Sequence, residues 1–197
     1  MKPSEATLAD KEVGLGWHPH RVITILLIFS FVMVFAGWTS GYIVRRDEGN
    51  WREFELPSIF ILSTIIVLLS SATMQWAHYA AKHNEIGRLK LALAATLALG
   101  AGFLVSQWQA WTYLVVQQRT FFGGADSNVS GSFLYVLTGW HMVHIVSALI
   151  FVGIVLRKAF KYQVHSRAML TIGNCNLYWH FLTGLWVYLY LFLLLNH

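Results

Sequence analysis

Five stretches of this 197-residue chain are long, apolar and free of Asp and Glu, and they constrain its fold more than any other feature. They run over about 22–44, 57–80, 89–116, 132–156 and 168–195. Each meets or exceeds the ~20 residues needed to cross a hydrocarbon core ~30 Å thick. The nine acidic residues all fall in the N-terminal arm or between the runs: Glu5, Asp10, Glu12, Asp47, Glu48, Glu53, Glu55, Glu85 and Asp126. The pattern predicts an all-α, polytopic membrane protein. A bundle of five transmembrane helices over 21–197 would follow a polar arm over 1–20.

Composition excludes several other classes. The chain is 56% hydrophobic and 12% charged, whereas a soluble domain is about 25% charged. Its formal charge of +5 does not call for nucleic acid, because the basic residues sit at the ends of the spans. There they suit anionic lipid headgroups. The single cysteine, Cys175, excludes an internal disulfide and a Cys-based metal site within one chain. The first 20 residues lack the apolar region of a cleavable signal, so the first span is expected to direct insertion.

Basic residues set the expected orientation. Lys2, Lys11, Arg21, Lys82, Arg88, Lys90, Arg157, Lys158, Lys161 and Arg167 lie on the side of the N-terminus; Arg45, Arg46, Arg52 and Arg119 lie opposite. The positive-inside rule then places the N-terminus inside and the C-terminus outside. Pro57 is expected in the first turn of the second helix, and Gly123–Gly124 marks a turn in the longest external loop, 117–131. Gly37 with Gly41, and Ala94, Ala98 and Gly102, form small-residue ridges of the kind that lets membrane helices approach closely. Trp51, Trp108, Trp111, Tyr113, Tyr162 and Tyr178 are read as interfacial belts.

The polar residues inside the spans are the functional clues. His141 and His144 lie three apart on the fourth span. His180 lies on the fifth, beside Tyr178 and Trp179. Gln107 and Gln109 lie deep in the third, and Gln75 and His78 near the inner end of the second. Such groups are costly in hydrocarbon and face the bundle interior as a rule. On the residues alone, His141 and His180 admit haem ligation, as in a b-type cytochrome electron-transfer subunit. Interhelical hydrogen bonding and contact with a lipid phosphate are the competing readings. A transporter would show paired Gly/Pro breaks in the spans, and the spans have none.

GSFLYVLTGWHMVHIV (131–146) resembles a helix of haem-copper oxidase subunit III that reads Gly-Ser, then Thr-Gly-Phe-His-x-x-His-Val. Gly131, Ser132, Thr138, Gly139, His141 and His144 match, with Trp140 replacing the Phe. YWHF (178–181) followed by Trp186 is similar to that family's final helix. LLSSATMQWAHYA (68–80), GFLVSQ (102–107) and FSFVMVFAGWTSGY (29–42) resemble the three others, in order. The resemblance implies the five-helix form of the subunit. It also implies an accessory, non-catalytic role beside catalytic subunit I, with subunit II as a further partner, and bound phospholipids. This chain would hold no cofactor and no metal; haem and copper would reside in partner subunits of a cytochrome c or quinol oxidase, in a bacterial inner membrane. Related proteins accompany nitric-oxide reductases.

The departures are specific. Three acidic positions of the family fall on Phe31, Ala110 and Thr183. Any role in proton uptake that needs those carboxylates is put in doubt. Lipid holding and an interhelical polar cluster survive, on His141, His144, His180, Trp179 and Gln107.

Overall fold

A computed structural model describes residues 19–47, 56–118, 129–164 and 169–196. The polar arm before Pro19, Trp51, Arg52, Arg119, the Gly123–Gly124 turn and Arg167 lie outside the described residues. Five helices follow in order: α1 (Pro19–Asp47), α2 (Ile59–Lys82), α3 (Ile86–Gln118), α4 (Val129–Phe160) and α5 (Leu170–Asn196). All five are long and apolar enough to cross a membrane. Helix is the solution such segments favour, because each backbone N–H and C=O then finds its partner within the segment. At 33 residues, α3 is about 50 Å long, so its ends stand clear of a ~30 Å core. Pro57 stands two residues ahead of α2, where its carbonyl accepts the Phe60 N–H at 3.0 Å.

Helices α2 to α5 close a four-membered ring: α2 packs on α3, α3 on α4, α4 on α5, and α5 back on α2. Helix α1 stands outside it and meets only α4 and α5 among the described residues. The turn between α2 and α3 is made by Asn84 at φ 58°, a left-handed conformation that Asn tolerates better than most residues. At the same end of the bundle, the Lys90 ammonium lies 4.8 Å from the Phe160 ring and 4.7 Å from the Tyr162 ring, joining the start of α3 to the end of α4.

The middle of the ring is aromatic. Trp186 of α5 is fully buried. It stacks on Phe60 of α2 at 5.9 Å, meets Phe103 of α3 edge-on at 4.9 Å, and lies 5.2 Å from the His141 ring of α4. Lipid tails match apolar side chains in polarity, so such shape-fitted contacts, rather than expulsion of water, hold membrane helices together.

The small-residue ridge of α3 is not where the helices meet, and on α1 only Gly41 faces a neighbour, with Phe133 of α4 3.7 Å from where its Cβ would stand. Ala94 and Ala98 are exposed, and a Cβ on Gly102 or Gly37 would meet nothing within 4 Å. The close approach lies on a neighbouring face, at Gly100. A Cβ there would stand 2.7 Å from Leu149 Cδ2 and 2.9 Å from the Trp179 indole. Spacing alone names a ridge without saying which way it faces. Gly100→Ala is therefore expected to destabilise by about 1–3 kcal/mol through overpacking against a rigid ring. Gly102→Ala should be neutral or stabilising. Thermal unfolding of both variants in the same detergent checks the order, and the reverse order would sink it.

Candidate functional site

The polar side chains inside the spans work mainly as ties between helices. Three indole N–H groups each donate to a hydroxyl on a neighbouring helix: Trp179 to Ser70, Trp186 to Thr64 and Trp111 to Thr138, all at 3.1 Å. Each hydroxyl passes its own proton to a backbone carbonyl of its helix, that of Val67, Phe60 and Leu134 respectively. Every polar hydrogen in these relays therefore has an acceptor, which is what hydrocarbon demands. Ser63 with Ser106 at 3.0 Å and Thr73 with Thr96 at 2.8 Å add two ties between α2 and α3. On the outside, Tyr188 of α5 donates to Thr39 of α1 at 3.2 Å. The sequence reading passed over these hydroxyls. Their signal was available as Ser and Thr recurring within apolar helices that also carry Trp.

The three histidines do not converge. His141 is fully buried between Phe103 and Trp186, and neither ring nitrogen has a hydrogen-bond partner among the described residues. Gln107 shares that condition: it is fully buried, and neither its amide oxygen nor its nitrogen is partnered. Helices α3 and α4 run antiparallel with Trp111 bonded to Thr138, so Gln107 and His141 stand one turn deeper at matching depth.

His144 turns toward α1. Its ring meets Phe31 edge-on at 4.0 Å and lies 5.8 Å from Phe35, while Nδ1 donates to the Trp140 carbonyl. His180 turns toward α2. Its Nε2 donates to the Gln75 amide oxygen at 3.0 Å, and Nδ1 accepts the Ser71 hydroxyl at 2.6 Å. An amide oxygen can only accept, which fixes these roles. Trp179, between them in sequence, points into the ring instead, against α3 at Gly100. Tyr178 is buried and bonded to Ser147 at 2.8 Å rather than set at an interface.

The three positions that the resemblance aligns with acids, Phe31, Ala110 and Thr183, have different surroundings. Phe31 packs on His144. Ala110 is fully buried in α3. Thr183 is buried, with its hydroxyl donated to the Trp179 carbonyl at 3.1 Å. Among the described residues no group of three or more His, Cys, Asp or Glu comes together to hold a metal ion.

His141→Phe follows directly as a test of this geometry. Because its ring nitrogens are unpartnered, the change is expected to be neutral or to stabilise by up to about 2 kcal/mol. A clear loss of thermal stability would reveal a bond that the imidazole makes.

The family model described as "Cytochrome c oxidase subunit III" matches residues 50–196, which covers α2 to α5 in full. The chain belongs to that family. It is 30% identical over 177 residues to "Cytochrome c oxidase subunit 3" of Corynebacterium diphtheriae, covering 85% of this chain and 83% of that one. The protein of the same name from Bacillus subtilis is 26% identical over 196 residues, with 95% and 88% covered. That from Yarrowia lipolytica is 31% identical over 171 residues, with 83% of this chain but 61% of the longer relative covered. Membership in the subunit III family makes this multi-pass membrane protein part of an oxidase complex with other subunits.

Proposed function

We propose that the chain is the accessory, non-catalytic subunit III of a haem-copper terminal oxidase in a bacterial inner membrane. Its N-terminus lies inside and its C-terminus outside. It packs against catalytic subunit I, neighbours subunit II, and steadies the complex during aerobic respiration. The observation that carries this reading is how the membrane histidines are used. Both His180 nitrogens are taken by Ser71 and Gln75, while His141 sits walled in by Phe103 and Trp186 at the centre of the helix ring. A bis-histidine haem needs a free nitrogen on each, facing one common space. The indoles, hydroxyls and His180 of this chain instead serve helix-to-helix bonding, which is scaffold chemistry.

The lipid-holding part rests on a cleft of about 430 Å³ between α1 and α5. Val32, Phe35 and Ala36 form one wall, and His180, Phe181, Gly184, Leu185 and Tyr188 the other. That lining suits an acyl chain. The proposal is tested by tagging the chain, purifying it from native membranes in mild detergent, and identifying its companions by mass spectrometry. An oxidase subunit I in equal amount is the expected result. A nitric-oxide reductase catalytic subunit in its place would transfer the same scaffold role to that enzyme. No haem-copper subunit at all would overturn the reading.

A further inference from the structure

Helices α1 and α2 flank α5 without meeting each other, so one side of α5 lies open between them. Along the α2 edge of that opening runs a ladder of polar side chains. His180 bonds Ser71 and Gln75 as described, and Asn176 Nδ2 donates to the same Gln75 oxygen at 3.1 Å. One turn further along α2, His78 lies beside Gly173. The ladder is not closed. Gln75 is exposed, and its amide nitrogen takes no part in these bonds. Asn176 Oδ1 and His78 Nδ1 are also without partners among the described residues, but both atoms are buried, so the Gln75 amide nitrogen is the group left facing outward.

The rest of the outer surface is built otherwise. On α1 the outward positions include Ile23, Leu26, Phe29 and Met33. Several exposed hydroxyls are tied back to their own helix, as Thr24 is to His20, Ser30 to Leu26 and Thr112 to Trp108, and Ser40 stands near the outer end of α1. Gln109 is also exposed, but it stands alone in the outer half of α3 beside Trp108 and Tyr113, the setting of an interfacial belt. Gln75 and Ser71 stand seven and eleven residues from Lys82 at the end of α2, or about 10–16 Å along the helix. Acyl chains offer such groups no hydrogen bond. A lipid headgroup belongs at the membrane surface, not at this depth.

We propose that this ladder on α2 and α5 is the docking line for a transmembrane helix of another oxidase subunit, one that presents hydrogen-bonding side chains at that depth. The inference rests on the accessory-subunit reading and specifies which face it uses. Its test is photo-cross-linking in native membranes with the full, tagged chain. A benzophenone side chain replaces Ala72, exposed on the same face of α2 as Gln75, or as a control Met33 on α1. The Ala72 probe should give an adduct with a second oxidase subunit, and the Met33 probe adducts with lipid only. If oxidase subunits co-purify but the Ala72 probe captures lipid alone, or only the Met33 probe captures protein, the docking line is wrong and the accessory reading stands. If no oxidase subunit co-purifies, both fall.

A paired variant, Gln75→Leu with Asn176→Leu, asks whether the bonds themselves matter. It should keep the chain's yield in the membrane while lowering recovery of the second subunit about threefold, in line with membrane hydrogen bonds of modest strength. Unchanged recovery would overturn the role given to the ladder.

Discussion

Trp186→Ala is expected to destabilise the bundle by about 3 kcal/mol, near the lower end of the range for large-to-small changes at a buried Trp. The indole touches one side chain from each of the other three ring helices: Phe60, Phe103 and His141. Its removal leaves a void, and the lost dispersion contacts on every wall make up most of the cost. The lower end of the range applies because a bilayer supplies less hydrophobic drive than water does. The indole also donates to Thr64, so Trp186→Phe should show a smaller loss of about 1 kcal/mol. Unfolding in a graded denaturing detergent reads both. Equal stability of the Ala variant and the natural chain would remove Trp186 from the centre of this account.

Placing a glutamate at the positions that the resemblance aligns with acids should have unequal consequences. Ala110→Glu puts a long, ionisable side chain at a fully buried position of α3, with no cation described there to meet it. An unpaired buried charge of this kind costs about 3–5 kcal/mol or forces the side chain to stay protonated. Failure to accumulate in the membrane is the expected result. Phe31→Glu should be far milder. Phe31 is only partly buried on the lightly packed α1, and its ring already lies against the His144 imidazole, whose Nε2 can accept the O–H of a glutamic acid while Nδ1 donates to the Trp140 carbonyl. Yield and melting temperature close to those of the natural chain are expected for Phe31→Glu. The opposite ranking of the two variants would show that the surroundings of Ala110 and Phe31 differ from those described.

Much of this is legible in the sequence. The five apolar runs became five helices because a segment about 20 residues long that is denied water has few other ways to satisfy its backbone. The two-histidine helix and YWHF pointed to the family that the comparisons then established. What the residues did not reveal was direction. His141 and His144 lie three apart, and three residues on a helix differ by about 60° around its axis. That angle sends His141 to the ring centre and His144 to α1. The same ambiguity sent the predicted ridge to Ala94, Ala98 and Gly102 when the contact was at Gly100. In a soluble helix the polar face names the outside, but in lipid both faces are apolar and that cue is lost. The hydroxyl relays under Trp111, Trp179 and Trp186 escaped notice for a related reason. Ser and Thr bonded to their own helix carbonyls look inert in sequence until an indole is found donating to them.

The absorption spectrum of the purified chain, separated from every companion subunit, tests the account most directly. With the His180 nitrogens committed to Ser71 and Gln75 and the His141 ring held among aromatics, a featureless Soret region is the result expected. One haem bound per chain would contradict it.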